Sequence, residues 1–199
     1  MGMRRVLAFV IATVCLSLGN LEGNPGYHAK AGKVTFTVGS NIPMVKVSGT
    51  STAVSGGGEA TVNGETAVIE DLHFEVDPST FKTGIKLRDE HLYEKVFTAG
   101  DGSMPKLVLR AERFQARLDP ASGKWEGQVR GQLTIRGVTR PVVFQAVGER
   151  DGETAVVTAT AVVNTSDFGI EPIAYSGARV NDEVKVTVSN LVVTPHGAK

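Results

Sequence analysis

The chain has 199 residues, of which 41% are hydrophobic and 21% charged, and its 21 basic and 21 acidic residues give a formal net charge of zero. These values are ordinary for a soluble globular protein, and the length suits one domain with a real core and an N-terminal addition. Without a basic excess the chain has no general attraction for nucleic acid or for an anionic membrane, so no nucleic-acid partner is expected.

The N-terminus has the layout of a secretory signal peptide. Residues 1–5 include two arginines, and an apolar run follows over residues 6–18. That run is shorter than the roughly 20 residues that a membrane-spanning helix needs. The small residues Ser17 and Gly19 predict cleavage before Asn20, although sites a few residues further on also fit.

We therefore expect residues 1–19 to be a signal peptide and residues 20–199 to be one domain. The mature protein would be periplasmic or secreted, without stable insertion in the membrane. Its only cysteine, Cys15, would leave with the signal peptide, so no disulfide or cysteine-based metal site is expected. A lipid anchor at Cys15 is the alternative, and the residues before it suit that reading poorly.

Alternation of apolar and polar residues predicts the first strands of the domain. Residues 34–38 and 44–47 are two short candidates, and residues 67–76 are a longer one. Between Leu72 and Val76 every second residue is apolar, which is the period of a half-buried strand. The run Ser55-Gly56-Gly57-Gly58 predicts a flexible turn, because glycine accepts backbone angles that other residues avoid.

Residues 87–97 break this pattern. The segment has no period of two and is rich in helix-forming residues. Its apolar residues fall on adjacent stripes of a helix. It predicts a short helix inserted between strands, which would close one end of the sheet.

The second half of the chain predicts further antiparallel strands. Residues 107–118 lead through a turn into residues 125–135, where apolar and glycine residues alternate with polar ones. A tight corner over residues 137–141 predicts a hairpin to the strand at 142–149. The pair Asp151-Gly152 predicts the next hairpin, to residues 155–163, and a valine-rich strand at 184–193 follows.

About eight strands in a meander, with one helix and no disulfide, favour an all-β, eight-stranded antiparallel barrel. Several small residues fall on inward faces, and two explanations stay open. They could leave a hollow for a ligand, or they could permit close packing and sharp curvature. The residues concerned are Gly127, Gly131, Ala146, Gly148, Ala159 and Ala161.

Four motifs, in order and correctly spaced over about residues 72–193, resemble those of the YceI-like family. They are Arg88-Asp89-Glu90-His91-Leu92 with Phe97 and Pro105 beyond it, GQLTIRGVTRPVVFQA at 131–146, Ser166-Asp167-Phe168-Gly169-Ile170, and Val180-Asn181-Asp182-Glu183-Val184. The resemblance implies a bacterial secreted or periplasmic protein with a lipocalin-like barrel. It also implies binding of a long amphiphile, such as a polyisoprenoid or another isoprenoid-quinone-like lipid, in an elongated apolar cavity. Residues 40–50 depart from the family, since they are polar and lack phenylalanine.

Large apolar residues on inward stripes are the candidate lining of such a cavity, because each buried CH₂ of a lipid tail contributes about 0.8 kcal/mol. An ordinary core needs the same residue types, so that alternative stays open. The candidates are Phe36, Phe74, Phe97, Leu107, Val129, Leu133 and Phe168.

Arg88 and His91 are the candidate polar contacts, at the cavity mouth, for a phosphate or another polar headgroup. A catalytic pair of Asp89 with His91 is the enzyme alternative, but residues two apart on a helix do not face each other. The other histidines show no metal-ligand spacing, so neither catalysis, a metal nor a cofactor is expected. A further alternative is a ligand-free barrel, its interior filled by residues such as Trp125 and Phe144, that acts through its surface. The oligomeric state, monomer or homodimer, stays open.

Overall fold

The structure, a computed structural model, describes residues 26–63, 65–119, 121–122, 124–151, 154–175 and 178–195. The expected signal peptide and Cys15 lie outside the described residues. No helix in the described part of the chain has the length and apolar character that crossing a bilayer requires.

Strands account for most of the described residues. They are β1 (Gly26–Ser40), β2 (Lys46–Ser51), β3 (Val54–Asn63), β4 (Thr66–Val76), β5 (Leu107–Asp119), β6 (Lys124–Ile135), β7 (Val138–Asp151), β8 (Thr154–Asn164), β9 (Ala174–Tyr175) and β10 (Ala178–Pro195). Helix α1 (Lys86–His91) continues directly into a π-helical turn (Leu92–Phe97), and short 3₁₀ turns span Pro78–Thr80 and Thr165–Phe168.

The strands close into a barrel. The order β1-β3-β4-β5-β6-β7-β8-β10 returns to β1, because β10 pairs with β1, and every pairing along it is antiparallel. Strand β2 pairs with β1 beyond the end of β3, and the two-residue β9 pairs with β10. The predicted eight-stranded antiparallel barrel with one short helix is confirmed.

The triple glycine is not a turn. Gly56, Gly57 and Gly58 lie inside β3, where Gly57 pairs with His28 of β1. A Cβ atom on Gly57 would overlap the carbonyl oxygen of Tyr27, so the glycines permit a close approach between two backbones. The predicted turn was wrong because glycine occurs both in turns and where two backbones approach closely, and the periodicity of the sequence does not distinguish the two.

The predicted corner at residues 137–141 was also placed wrongly. The turn consists of Arg136 and Gly137, with φ of 45° and 83°, which suits a two-residue hairpin between Ile135 and Val138. Strand β7 therefore begins before Pro141, which lies opposite Gln132 of β6. A proline is tolerated there because this part of β7 precedes its pairing with β8.

Two irregular positions change which side chains point inward. Asp71 in β4 and Asn190 in β10 have φ of 50° and 51°, and the β10–β8 register shifts across Asn190. In β4 the cavity-facing residues are odd-numbered before Asp71 and even-numbered after it. These bulges keep long strands facing one cavity although the alternation is interrupted.

The helix predicted at residues 87–97 is confirmed, with α1 beginning one residue earlier. It is held against the segment that leads into it. The Tyr93 hydroxyl donates to the Phe81 carbonyl oxygen at 2.6 Å, and Lys82 Nζ donates to the same hydroxyl at 2.7 Å. This hydrogen bond raises the pKa of Lys82.

Candidate ligand cavity

The barrel encloses a cavity of about 1420 Å³, lined mainly by apolar side chains from its strands and from the helical segment. Small-molecule sites usually measure about 300–1,000 Å³, so this cavity suits a larger guest. Along β6 the lining positions extend from Trp125 to Ile135, a path of about 33 Å along the tilted strand at a rise of about 3.3 Å per residue. The space is elongated and apolar.

Every candidate lining residue of the sequence analysis lies on this cavity. They are Phe36, Phe74, Phe97, Leu107, Val129, Leu133 and Phe168. Three of them, Phe97, Val129 and Phe168, are also buried in the protein's own packing. These three residues therefore line the cavity and also belong to the packed interior of the protein.

The small residues both leave space in the cavity and permit close packing, and Gly127 does both, because a Cβ there would lie 3.0 Å from the Gln115 carbonyl oxygen of β5. Gly127, Ala146, Gly148 and Ala159 line the cavity. A Cβ on Gly131 would instead collide with the Arg110 carbonyl oxygen of β5, so this glycine serves close backbone packing. Ala161, the remaining small residue, is buried in the cluster of β5–β8 side chains.

Helix α1 and the π-helical turn close part of one end of the barrel, called the helix end below. Val76, Phe81, Leu92 and Phe97 form a buried cluster there. The rings of Phe81 and Phe97 lie 5.6 Å apart, centroid to centroid, and those of Phe36 and Phe81 lie 5.9 Å apart. Such tilted aromatic pairs stabilise packing beyond the area that they bury.

The cavity also reaches the surface at the helix end. Ile85, Leu87 and Val45 line it while being 50, 49 and 45% exposed. Arg88 and His91 lie on α1, line the cavity and are partly exposed. The structure thus places both predicted headgroup contacts beside this opening.

Asp89, the carboxylate of the alternative catalytic pair, holds the chain before α1. Its Oδ1 accepts hydrogen bonds from the Thr83 hydroxyl at 2.6 Å and from the Thr83 backbone N–H at 2.7 Å. The hydroxyl bond is the main reason that the pKa of Asp89 is lowered. These contacts give the carboxylate a structural role.

A second carboxylate holds the turn that follows β8. Asp182 accepts from Thr165 Oγ1, Ser166 N and Ser166 Oγ at 2.6–2.7 Å. The Ser166 hydroxyl bond is the largest cause of its lowered pKa. Phe168 fills the barrel end, only 2% exposed, and Gly169 bends the chain with φ of 67°.

At the opposite end of the barrel the cavity is bordered by different residues. Glu59 and Arg150 are exposed there and line it, as does Thr154. Among the residues that the structure describes, no group of three or more His, Cys, Asp or Glu side chains could hold a metal ion.

Sequence reasoning missed several lining residues. Val45 and Val47 line the cavity although they lie in the divergent segment 40–50, and their alternation within the predicted strand 44–47 was the available signal. Phe81 also lines it, but it follows a single 3₁₀ turn and has no periodic neighbours. Nothing in the local sequence marks Phe81 as a cavity residue.

A closed antiparallel barrel around an elongated apolar cavity defines a lipocalin-like protein. The sequence model of the YceI-like domain matches residues 27–190. The chain belongs to the YceI-like family.

Two curated relatives carry the name UPF0312 protein. One, from Pseudomonas fluorescens (strain SBW25), is 29% identical over 105 residues, which cover 50% of this chain and 52% of the relative. Another, from Pseudomonas putida (strain W619), is 35% identical over 65 residues, 30% of this chain and 34% of the relative. The matches thus span about half and a third of the relatives' lengths.

Solved structures share the fold at low sequence identity. BcnA of Burkholderia cenocepacia has a TM-score of 0.56 at 17% identity, covering 81% of this chain and 96% of BcnA. A polyisoprenoid-binding domain from Saccharophagus degradans, implicated in plant cell wall breakdown, has a TM-score of 0.56 at 16% identity, with coverage of 84% and 95%. The YceI protein of Campylobacter jejuni has a TM-score of 0.51 at 19% identity, with coverage of 73% and 86%.

Proposed function

We propose that this protein binds and carries one long-chain amphiphilic lipid, an isoprenoid or a similar molecule, without catalysis. The observation that carries the proposal is the apolar cavity of about 1420 Å³ inside the barrel. The Saccharophagus degradans domain of the same fold is a polyisoprenoid-binding domain, which favours this class of ligand over a compact one. A ligand-free barrel with a filled interior does not match a cavity of this size.

The apolar tail of the ligand lies along the barrel, and its polar head lies at the helix end beside Arg88 and His91. Both side chains line the cavity next to its opening. A guanidinium group offers paired donors to a phosphate or carboxylate. Burial of each CH₂ of the tail contributes about 0.8 kcal/mol, so affinity rises with chain length until the cavity is filled.

The protein acts in the bacterial envelope or outside the cell, after removal of residues 1–19. The basic head and short apolar run at the N-terminus support this location. Mass measurement of the protein isolated from its own host tests it. A first residue near Asn20 agrees with the proposal, and an intact Met1 contradicts it.

A polyene fatty acid whose fluorescence rises in apolar surroundings is a suitable probe of binding. The test variant is Ala146→Phe, because Ala146 lines the cavity beside Gly127 of β6 and Ala159 of β8. The matched control is Val147→Phe, since Val147 is the next residue of β7 and is 40% exposed. Under the proposal the unmodified chain binds the probe. Ala146→Phe weakens this binding, and Val147→Phe leaves it unchanged.

Competition by isoprenoid alcohols of increasing length then sizes the guest. Each added isoprene unit should displace the probe more strongly up to a limiting length, because more apolar surface becomes buried. No binding of the probe, or equal loss in both variants with the fold intact, would contradict the proposal.

A further inference from the structure

Exposed apolar side chains gather at the helix end, around the opening of the cavity. Ile42, Met44 and Val45 form the tip between β1 and β2, and they are 42, 97 and 45% exposed. Ile85 and Leu87, at the start of α1, are exposed to about half. These five residues are called the apolar rim.

The fold brings the two parts of the apolar rim to one opening. Backbone N–H groups of Thr50 and Lys82 each donate to the other's carbonyl oxygen at 2.9 Å, in an antiparallel bridge. The chain after Lys82 therefore runs beside β2 towards the tip. Val45, Ile85 and Leu87 all line the cavity, so the apolar rim borders the opening where the lipid would enter.

Met44 is unusual at such a position. Its φ of 67° lies in the left-handed region, which bulky residues seldom adopt and which asparagine or glycine would adopt more readily. Its side chain is 97% exposed. In water this exposed apolar side chain buries no surface, whereas in contact with an apolar phase it would become buried.

The charge of the two rim segments is one-sided although the whole chain is neutral. Residues 40–50 and 82–88 contain Lys46, Lys82, Lys86 and Arg88 and no Asp or Glu. Lys86 stands between Ile85 and Leu87 and is 93% exposed. Cations beside exposed apolar residues complement a membrane surface with anionic headgroups.

The carboxylates nearby offset part of this charge. Asp89 accepts hydrogen bonds from Thr83. These bonds and the charges of Lys82 and Arg88 lower its pKa, so it is ionised. Glu90 lies 3.9 Å from Lys86 with both side chains exposed, and Glu171 is exposed across the opening. The four basic residues of the rim segments still outnumber these three carboxylates, and Lys86 keeps its exposed position between two apolar rim residues.

We propose that the apolar rim docks the helix end on an anionic lipid bilayer, so that the cavity opens against the membrane from which the lipid is loaded. The inference rests on the proposed function for its purpose, but membrane docking is measured separately from lipid binding. A second copy of this chain is a weaker occupant, since a stable interface uses about 20–30 residues a side and the rim has five.

The test places an environment-sensitive fluorescent label at residue 44 or at residue 162 of the full chain, by Met44→Cys or Val162→Cys in a Cys15→Ser background. Val162 is 55% exposed on the outer face of β8 and is the matched control. We expect vesicles of phosphatidylglycerol and phosphatidylcholine in equal amounts to shift the emission at residue 44 to the blue. The label at residue 162 should not respond. Because the emission reports only on the surroundings of the labelled residue, it distinguishes membrane contact of the rim from contact made by the N-terminal segment.

The variant Ile42→Ser/Met44→Ser should bind these vesicles about tenfold more weakly, because two apolar side chains no longer enter the bilayer. Its affinity for the polyene fatty acid should be unchanged, since neither residue lines the cavity. The matched control is Val143→Ser/Val147→Ser, at positions that are 41 and 40% exposed on β7, and it should bind vesicles like the unmodified chain.

The outcomes separate the two proposals. Probe binding without any response at residue 44 overturns membrane docking and leaves the carrier function standing. Vesicle binding through residue 44 without probe binding overturns the carrier function. A blue shift at residue 44 that grows with protein concentration in the absence of vesicles assigns the rim to a second copy and overturns membrane docking.

Discussion

The two ends of the barrel are held together by different interactions. At the helix end, side chains from α1 and its flanking segments pack together, as the ring contacts of Phe81 with Phe36 and Phe97 show. Between the start of β1 and β3, towards the opposite end, two backbones approach each other closely, as Gly57 does against Tyr27. Side-chain packing can rearrange to admit a guest, whereas backbone contact cannot. The comparison therefore identifies the helix end as the adjustable one.

The largest expected effect is at the helix end. Phe97→Ala should lower the free energy of unfolding by about 3–5 kcal/mol, the usual cost of a large cavity in a packed core. Phe97 is only 5% exposed. Phe114→Ala near the opposite end is the control, because Phe114 is only partly buried, and it should cost less. Equal losses in urea unfolding would remove the distinction between the two ends.

The next effect tests the backbone contact between β1 and β3. Gly57→Ala should cost about 1–3 kcal/mol, because the new methyl group forces β1 and β3 apart. The control is Gly148→Ala, whose Cβ would meet Val157 Cγ2 at an ordinary 3.5 Å, and it should change stability by about 0.5 kcal/mol or less. Thermal unfolding of both variants measures the difference. A tolerated alanine at position 57 would show that this contact is not tight.

A smaller effect concerns the turn after β8. Asp182→Ala should cost about 1–2 kcal/mol near neutral pH, since it removes hydrogen bonds to a charged acceptor. The pKa of Asp182 lies below its usual value of 3.8 in the folded protein. Its stabilisation is therefore complete above that value and is lost as the pH falls through the folded pKa. Urea unfolding from neutral to acidic pH should show the wild type and the variant converging in acid.

Asp101→Ala is the matched control for this pH dependence. Asp101 also accepts from a serine, through Ser103 N and Oγ, but it joins residues only two apart in an exposed loop. It should therefore affect stability less than Asp182, which connects the turn to β10. A pH-independent difference for Asp182→Ala would contradict the assigned role.

The smallest expected effect is on ligand orientation. Arg88→Gln should weaken binding of the polyene fatty acid about threefold to tenfold, the loss of one hydrogen bond to a charged group at a partly exposed site. Arg150→Gln, at the opposite end of the cavity, should leave affinity unchanged. The reverse ranking would place the headgroup at the opposite end.

The fold followed from the sequence where periodicity was uninterrupted. In β6, exposed polar residues alternate with inward-facing residues from Trp125 to Leu133, as expected for a strand with one face towards solvent. Where the chain departs from a regular strand, the prediction failed, at the glycines of β3 and at the Arg136-Gly137 turn. Local sequence does not say which distant backbone approaches a glycine.

The site was predictable to the extent that it follows the same alternation. Val129 and Leu133 line the cavity because they share the inward face of β6. The exposed rim was not predictable, because the tip that carries Met44 is brought to the same opening as Ile85 and Leu87 only by the bridge between Thr50 and Lys82. That pairing is a property of the folded chain.

Whether the barrel carries a lipid is best measured by native mass spectrometry of the protein isolated from its own host. We expect a complex with one long-chain amphiphile, seen as added mass that organic extraction removes and identifies. Protein that carries no added mass, and that gains none when incubated with long isoprenoid alcohols, would contradict this expectation.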